Sequence, residues 1–438
     1  MDTHDNIRTW RPDGWRAGND ASGEGARSRR LPGIANLHSH AFQRAMAGMA
    51  ECQSAPGPGA RAGHDSFWTW RETMYRFAGR FTPDTLHAVA AQLYAEMLEA
   101  GYTTVCEFHY LHHAPDGRRY DDPAAMSRAL LQAARDTGIR ITLLPVLYMT
   151  GGFDGRPLGD RQRRFGHDVE SYLQLLDNLR GEQDDTTRIG CALHSLRAVP
   201  PDAMRTVLAG LPRDCRVHVH VAEQVAEVDE CIAVRGARPV QWLLENADVD
   251  ARWTLVHATH LVGSEILGIA ASGATVAICP TTEANLGDGL FPLRDFLDAG
   301  GRWGIGSDSH ISVSPVEELR WLEYGQRLVT GRRNIAASAR SPSVGEALLH
   351  DVVASAADST GQASGIDSGD VLLLDGDAAL MAGASDADAV DRWIFAGNRN
   401  LVRETTVAGR RLVADGRHVA AESIAAGYRS AIGELLRD

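Results

Sequence analysis

Two histidines, His38 and His40, stand two residues apart at the end of a short apolar run, GIANLHSH. Side chains alternate between the two faces of a strand, so residues i and i+2 point the same way and both rings can face one ion. This spacing is typical of a metal site, although paired histidines also occur as ordinary hydrogen-bonded polar residues. The metal interpretation therefore depends on what the rest of the chain offers.

Further metal-binding side chains stand at the ends of later apolar runs. His220 ends VHVH and Glu223 follows it by three residues; His257 lies in TLVHATH, and Asp308 closes WGIGSDS. Three imidazoles and one carboxylate suit Zn²⁺, with Fe²⁺ as the alternative, and leave a coordination position for water. An ion in such a site lowers the pKa of that water and supplies hydroxide near neutral pH.

Each of these residues also has an ordinary structural interpretation. His218 shares a strand face with His220, and one of the two need only hold a hydrogen bond in the interior. His260 competes with His257 but resembles a packing or capping residue, and Asp308 has the residue type of a helix N-cap. Four such residues at the strand ends of one sheet are much harder to explain without a metal.

Strands and helices alternate along most of the chain. Helical stretches with apolar residues at i, i+3 and i+4, such as PDTLHAVAAQLYAEMLEAG, separate short β-rich runs. These runs are GIANLHSH, TTVCEFHY, ITLLPVLY, RIGCALHS, VHVHVAE, TLVHATH, TVAICPTT and WGIGSDS. They predict an α/β fold, a parallel sheet closed into a (β/α)₈ TIM barrel, with a doubly wound open sheet as the alternative. The barrel is favoured because polar residues cluster at the carboxyl ends of many strands, where barrel enzymes build their sites.

The two ends of the chain depart from this alternation. Residues 1–30 are polar and rich in Gly and Arg, and we expect them to be mostly irregular, with IRTW as the one hint of strand. The catalytic barrel is expected over residues 31–363. Residues 364–438 predict a small β-rich domain, in which DSGDVLLLDGD, DRWIFAG and RETTVAGRRLVADGRHV are short strands before a closing helix, AESIAAGYRSAIGELL.

Composition excludes several classes of function. The formal net charge is −13, which argues against general nucleic-acid binding because no net positive field releases counterions from phosphates. The chain contains no lysine, and all 44 basic residues are arginines. This excludes a Schiff-base lysine, a P-loop lysine and a carbamylated lysine that bridges two metals. A single-metal site passes this test.

The cellular compartment is predicted from the cysteines and from the apolar runs. The six cysteines are scattered without a CxxC pair, which suits a reducing compartment and argues against zinc fingers. No apolar run approaches the roughly 18 residues that span a bilayer, and the N-terminus lacks the apolar core of a signal peptide. We therefore expect a cytoplasmic protein that does not enter a membrane.

Taken together, the motifs resemble a known family. HxH after strand one, HxxE after strand five, a His in strand six and Ser-Asp after strand eight are similar to the amidohydrolase superfamily, in its mononuclear aminohydrolase branch. A more specific set resembles the formimidoylglutamate deiminases of bacterial histidine degradation: NLHSHAFQRAMAG, FWTWRETMY, LHSLRAVP, HVHVAEQ, LVHATHL, CPTTEANLGDG and GIGSDSHISVSPVEELRWLEYGQRL. This resemblance covers nearly the whole chain. It implies hydrolysis of N-formimidoyl-L-glutamate to N-formyl-L-glutamate and ammonia.

The resemblance also implies roles for individual residues. One Zn²⁺ per chain would be held by four side chains, His38, His40, His220 and Asp308. Asp308 would also accept the proton of the attacking water, Glu223 would move a proton to the imino nitrogen, and His257 would polarise the reacting centre.

The implied substrate carries two carboxylates, which an acidic protein must neutralise with local cations. Arg197, close behind His194, and Arg71, in FWTWRETMY, are suited to this because a guanidinium fork binds a carboxylate bidentately. The resemblance completes the pocket with Tyr110, His194 and Gln43. Without the family, both arginines would be interpreted as solvated charges or structural ion pairs.

The resemblance is weakest at the N-terminus. The family begins with several strands that join the C-terminal β-rich segment, whereas only residues 1–30 precede the first barrel strand here. We therefore expect a reduced small domain. The expected partners are a small molecule with two carboxylates and, in a homodimer, a second copy of the chain.

Three alternatives differ in chemistry. A related aminohydrolase such as guanine deaminase would act on a purine, which needs amide-type donors and an aromatic stack rather than paired arginines. A non-catalytic binding protein of the same fold would have lost ligand residues, yet every expected ligand is present. A two-metal hydrolase of cyclic amides would lack its bridging lysine.

Overall fold

A computed structural model of the chain describes residues 7–17, 28–52 and 67–437. Its strands are β1 (Arg8–Arg11), β2 (Gly14–Ala17), β3 (Arg29–Pro32), β4 (Ile34–Ser39), β5 (Tyr102–His109), β6 (Arg140–Leu147), β7 (Thr187–Ile189), β8 (Cys191–Ser195), β9 (Val217–Val221), β10 (Trp253–His257), β11 (Thr275–Ile278), β12 (Arg302–Ile305), β13 (Val371–Leu374), β14 (Val402–Val407), β15 (Arg410–Ala414) and β16 (Arg417–His418). Among the described helices, none is both long and apolar enough to cross a bilayer.

The helices alternate with the strands of the barrel. They are α1 (Phe67–Ala78), α2 (Pro83–Ala100), α3 (Ala125–Thr137), α4 (Val169–Arg180), α5 (Pro201–Gly210), α6 (Val225–Arg235), α7 (Pro239–Asn246), α8 (Gly263–Ser272), α9 (Pro280–Leu286), α10 (Leu293–Asp298), α11 (Pro315–Thr330), α12 (Val344–Thr360), α13 (Ala389–Phe395) and α14 (Ala421–Leu435). Short 3₁₀ helices cover Ala41–Met46, Asp160–Phe165, Ile366–Ser368 and Ala379–Met381.

The larger sheet is the predicted barrel. Parallel pairs run in the order β4-β5-β6-β8-β9-β10-β11-β12, and β7 pairs with β6 just ahead of β8. A parallel bridge between Ser39 and Asp308 joins the first strand to the chain that follows the last, which closes the ring. Every residue of β5 and β6 is buried, as expected for strands covered on both faces. The prediction of a (β/α)₈ barrel is confirmed.

The smaller sheet draws strands from both ends of the chain. Its order is β16-β15-β14-β13-β3-β1-β2, so three strands precede the barrel and four follow it. The expectation that residues 1–30 are mostly irregular is wrong for the described part, whereas the expectation of a reduced N-terminal contribution stays a prediction; positions 1–6 and 18–27 lie outside the described residues. The hairpin β1-β2 depends on distant partners, because β1 pairs in parallel with β3 and buries Trp10. A four-residue strand with so few apolar residues carries little local signal.

A second correction concerns DRWIFAG, which is not a strand. It lies mostly in helix α13, whose buried residues Ala389, Val390, Trp393 and Ile394 repeat with helical spacing and pack against α12. Short apolar runs do not separate helix from strand by periodicity alone, and here tertiary packing decides. The predicted closing helix is present as α14.

The small sheet joins the barrel at the amino ends of the barrel strands. Gly33 is the single residue between β3 and β4, and a Cβ at this position would lie 2.2 Å from Thr103 Oγ1, so only glycine fits. Arg140, at the start of β6, donates from Nε to Asp370 Oδ2 at 2.9 Å, and both side chains are buried. This junction leaves the carboxyl ends of the barrel strands free for chemistry.

Candidate metal centre and substrate pocket

Four predicted ligand side chains converge at the carboxyl ends of β4, β9 and β12. The Nε2 atom of His38 lies 3.1 Å from Nε2 of His40 and 3.0 Å from Nε2 of His220. Asp308 Oδ1 lies 3.4 Å from Nε2 of His38 and 3.3 Å from Nε2 of His40. Ligands at about 2.1 Å from one tetrahedral ion lie about 3.4 Å from each other, so these separations suit a shared ion.

Hydrogen bonds behind the rings decide where the lone pairs point. Nδ1 of His40 lies 2.8 Å from the carbonyl oxygen of Phe108, and Nδ1 of His220 lies 2.8 Å from that of His194. A carbonyl only accepts, so both Nδ1 atoms donate and both Nε2 atoms carry lone pairs when the rings are neutral. His38 Nε2 can donate to only one of them, which leaves at least one lone pair facing the cluster without a proton. The donor set therefore fits a divalent cation.

Burial favours the neutral rings that metal binding requires. Desolvation, with the neighbouring imidazoles, lowers the pKa of His38 and His40 well below the usual range and that of His220 to about 3. Neutral imidazoles bind metals and charged ones do not. At neutral pH the cluster is thus ready to accept a cation.

Glu223 and His257 form a second pair beside the four ligands. Nε2 of His257 lies 3.7 Å from Glu223 Oε1 and 3.9 Å from Asp308 Oδ2. Burial raises the pKa of Glu223 to about 7. Burial lowers the pKa of His257, but the charge of Glu223 and bonds to Cys279 and Glu283 outweigh it and raise that pKa well above its usual range. Two groups this close titrate as a pair, and either can exchange a proton with a bound molecule.

His257 is also close enough to act as a ligand. Ligand atoms of His38, His220 and His257 lie within 4.8 Å of one another, as do those of His38, His40 and Asp308. Both arrangements include His38, which is completely buried at the centre of the cluster.

Backbone strain is concentrated at these strand ends. In the described part of the chain, five of the eight non-glycine residues with a positive φ angle lie here: Ala222 (52°), His257 (67°), Ala258 (49°), Asp308 (44°) and His310 (62°). A left-handed conformation costs on the order of 1–3 kcal/mol at such a residue and persists where the surrounding structure imposes it. Here it turns the chain at the point where His257 and Asp308 leave their strands.

Two glutamates that sequence reasoning missed, the buried Glu107 and the half-buried Glu227, hold the turns after the strands. Glu107 accepts the backbone N–H of Ala41 at 2.7 Å, just after the histidine pair. Glu227 accepts the N–H groups of Ala222 and Glu223, at 3.1 and 3.0 Å. Neither residue ends a predicted strand, so the strand-end rule did not single them out.

The cluster forms the floor of a cavity that opens to solvent. All five predicted substrate-binding residues line it: Gln43, Arg71, Tyr110, His194 and Arg197. Gln43 Nε2 donates to the hydroxyl of Tyr110 at 3.0 Å, and Nη2 of Arg71 donates to the hydroxyl of Tyr148 at 3.3 Å. Glu223 and His257 line the same cavity, whereas His38 lies beneath its floor.

Several lining residues were missed, and some carried a signal. Trp70, Met74 and Tyr75 line the cavity beside the predicted Arg71, from one face of the already predicted helix α1. Tyr148 follows the third barrel strand in the way that Tyr110 follows the second. These residues could have been found from helical spacing next to Arg71 and from the position directly after a barrel strand. Phe165 lies in a 3₁₀ helix, where neither rule applies.

The structural interpretations of two other histidines are confirmed. Nε2 of His218 donates to the carbonyl of Ser359 at 3.0 Å, and Nε2 of His260 donates to that of Asp288 at 2.8 Å. Asp308 is not a helix N-cap, because Ser314 caps the next helix, α11.

Comparisons with known proteins agree with this architecture. The model of the amidohydrolase family matches residues 30–345. Formimidoylglutamate deiminase of Pseudomonas aeruginosa is 50% identical over 425 residues, which cover 95% of this chain and 92% of that protein. The 8-oxoguanine deaminase of the same organism is 28% identical and covers 70% of this chain and 66% of its own length.

Solved structures share the fold. An amidohydrolase from Brucella melitensis matches with a TM-score of 0.89 and 42% identity, covering 98% of each chain. Atrazine chlorohydrolase TrzN from Arthrobacter aurescens TC1, solved in complex with zinc, has a TM-score of 0.78 at 23% identity and covers 97% of this chain and 94% of its own. The chain belongs to the amidohydrolase family.

Proposed function

We propose that this chain is a zinc-dependent deiminase that hydrolyses N-formimidoyl-L-glutamate to N-formyl-L-glutamate and ammonia. The observation that carries the proposal is the combination, in one cavity, of a histidine-carboxylate cluster at the floor and two arginines, Arg71 and Arg197, in the walls. The name of the 50% identical relative supports the same reaction.

One zinc ion per chain would be held by His38, His40, His220 and Asp308, with Fe²⁺ as the alternative. The inward lone pairs of His40 and His220 and the 3.3–3.4 Å approach of Asp308 support this ligand set. When bound, the ion activates water for attack near neutral pH and polarises the carbon that is attacked.

The proton transfers would be made by three side chains. Asp308 takes the proton of the water that attacks the formimidoyl carbon. Glu223 would give its proton to the imino nitrogen as water adds, which leaves an amino group on a tetrahedral carbon. The proton held by Asp308 would then move to that nitrogen, and the new hydroxyl would return a proton to Glu223 as the carbon–nitrogen bond breaks, so that N-formyl-L-glutamate and ammonia are released. His257, 3.7 and 3.9 Å from these two carboxylates, donates from Nε2 to the oxygen on which negative charge develops.

The glutamyl part of the substrate would be bound by the arginines. A guanidinium binds a carboxylate with two parallel hydrogen bonds, and the substrate has two carboxylates for Arg71 and Arg197. Tyr110, His194 and Gln43 would orient the chain between them. An aminopurine offers these arginines no anionic partner, which favours the dicarboxylic amidine.

Ammonia release by the purified, zinc-loaded protein tests the proposal. We expect turnover of N-formimidoyl-L-glutamate, with N-formyl-L-glutamate identified by NMR, and none of guanine or 8-oxoguanine. Turnover of a purine but not of the amidine would assign the chain to another branch of the family. No turnover of either would contradict the proposal.

We propose in addition that the chain forms a homodimer through α11. Four apolar side chains on this helix are exposed, Trp321 (46%), Tyr324 (37%), Leu328 (81%) and Val329 (68%). Such a patch is typical of a contact surface. Light scattering after size exclusion should give a dimer for the wild type and a monomer for Leu328→Glu. The matched control is Leu267→Glu on α8, where Leu267 is 63% exposed, and it should stay a dimer. A monomeric wild type would contradict the proposal.

A further inference from the structure

Glu283 lies behind His257, on the side away from the cavity. Its Oε1 is 3.2 Å from Nδ1 of His257 and accepts the backbone N–H of Cys279 at 2.9 Å. Glu283 is 3% exposed and His257 is 1% exposed. The carboxylate and the ring are therefore in contact where water does not compete for their hydrogen bond.

This partner distinguishes His257 from the two histidines that are held through Nδ1. His40 and His220 donate from Nδ1 to backbone carbonyls, whereas His257 donates to a carboxylate. A carbonyl fixes which nitrogen carries the proton. A carboxylate does this and also stabilises positive charge on the ring through a charge-assisted bond.

The chain holds Glu283 firmly in this position. Strand β11 ends at Ile278, and Glu283 lies in the first turn of α9, where its N–H donates to the carbonyl of Cys279 at 2.9 Å. The carbonyl of Glu283 in turn accepts the N–H of Asp288 at 2.9 Å. Both backbone groups are fixed, so the side chain is aimed at His257 by the turn that follows the seventh barrel strand.

We propose that Glu283 is a positioning residue for His257. It holds the proton on Nδ1, directs Nε2 toward Glu223 and Asp308, and stabilises the ring as charge develops on the substrate. The proposal rests on the proposed function for the identity of the reaction, but the hydrogen bond that it describes exists independently of the substrate.

A metal ion between the same residues is the competing interpretation. Ligand atoms of His257, Cys279 and Glu283 lie within 4.8 Å of one another. Against it, Oε1 of Glu283 faces two nitrogens that carry protons, the backbone N–H of Cys279 and Nδ1 of His257. This is the arrangement of an acceptor between two donors.

A graded pair of variants tests the role. We expect Glu283→Gln, which keeps the shape but loses the charge, to lower kcat about 10-fold, and Glu283→Met, which cannot accept, to lower it about 100-fold, the range for loss of such a partner. KM and one bound zinc per chain should be retained. The matched control is Glu318→Gln: Glu318 is also fully buried and accepts from Thr281 N at 2.9 Å and Oγ1 at 2.6 Å, and we expect kcat to change less than about 3-fold.

A double-mutant cycle separates action through His257 from a general loss of packing. In a His257→Asn background, Glu283→Gln should lower kcat no further, because the group through which it acts is gone. If Glu283→Gln lowers kcat by the same factor in the His257→Asn background as in the wild type, the proposal is overturned. So would a second equivalent of zinc that is present in the wild type and lost in Glu283→Gln.

A readout in the metal-free protein does not depend on turnover. The Nδ1 proton of His257, shared with a buried carboxylate, should give a far-downfield proton NMR resonance that disappears in His257→Asn, moves in Glu283→Gln and stays in Glu318→Gln. Because it is measured on the unmodified chain, it remains a test even where Glu283→Gln fails to fold. Its absence from an active wild type overturns the role of Glu283 alone, whereas an inactive wild type that shows it overturns only the proposed reaction.

Discussion

The backbone N–H of Asp308 donates to the carbonyl oxygen of His38 at 3.0 Å, while the side chains of the same two residues approach to 3.4 Å, Oδ1 to Nε2. The first contact belongs to the closure of the barrel, and the second belongs to the candidate metal centre. Two predicted ligands from opposite ends of the barrel segment are thus held together by the bond that closes the ring. Metal binding and barrel closure should therefore stabilise each other.

Zinc should raise the thermal stability of the protein, because it binds the folded cluster and not the separated ligands. At a free zinc concentration of 100 times Kd, the free energy of unfolding should rise by about 2.7 kcal/mol. The measurement is the melting temperature with zinc and with a chelator. Asp308→Asn, which removes the charged ligand, should lose most of the zinc-dependent shift. Equal melting temperatures of the wild type in the two conditions would contradict a metal at this site.

Replacing Glu223 by Gln should leave zinc bound and nearly abolish turnover. The proposed donor of the proton to the imino nitrogen is lost, and general acid catalysis contributes typically about 100- to 10,000-fold. Metal analysis and kcat are measured on the same preparation. Glu245→Gln, exposed on α7, is the control and should keep wild-type activity; equal activity of the Glu223 variant would remove Glu223 from the mechanism.

The strand-end residues were predictable because the barrel itself selects them. A side-chain period of two and a common carboxyl edge are geometric properties of parallel strands, so His38, His40, His220, His257 and Asp308 could be placed at one edge of the barrel from the strand pattern. Which four of them would hold the ion was implied by the family resemblance. Arg71 and Arg197 were different, since a surface ion pair explains an isolated arginine equally well. Their assignment to the pocket depended on the family resemblance.

The contacts that the sequence did not reveal arise from non-local packing. Glu283 reaches His257 only because α9 begins directly after the seventh barrel strand, and no periodicity marks an acceptor that lies behind a ring. The hairpin β1-β2 is held by β3, with Trp10 of β1 buried, so its local sequence suggested irregular chain. In each case the stabilising partner is far away along the chain.

Removing the guanidinium of Arg197 should weaken substrate binding more than it slows the chemistry. Hydrogen bonds to a charged group contribute about 1.5–3 kcal/mol, which predicts a KM about 10- to 100-fold higher for Arg197→Gln. Arg205→Gln, in an exposed ion pair with Asp202 on α5, is the control. N-formimidoyl-4-aminobutyrate has one carboxylate. Steady-state kinetics should show that its KM changes less than that of N-formimidoyl-L-glutamate when one of the two arginines is removed. An unchanged KM would leave Arg197 without a role in binding.

The buried pair between Arg140 and Asp370 should matter for stability and not for catalysis. Arg140→Met leaves the carboxylate of Asp370, which is fully buried, without its ionic partner, and breaking such a pair costs about 3–5 kcal/mol. The free energy of unfolding in urea measures the loss. Arg392→Met, which breaks a partly exposed pair with Asp388, should cost less than about 1 kcal/mol. Both variants should retain kcat, because each pair lies away from the cavity.

The stability that Arg140→Met loses should depend on pH in a defined direction. Burial already raises the pKa of Asp370 above its usual value, and loss of the Arg140 charge should raise it further. An acid whose pKa is higher in the folded state binds its proton more tightly there, so the folded variant gains stability, relative to the wild type, as the pH falls through that pKa. Urea unfolding at neutral and at acidic pH should therefore show the gap between Arg140→Met and wild type narrowing on acidification. A gap that widens would mean that Asp370 is not the group left unpaired, and would direct attention to the carbonyl groups that Arg140 also contacts, those of Asp185 and Ser368.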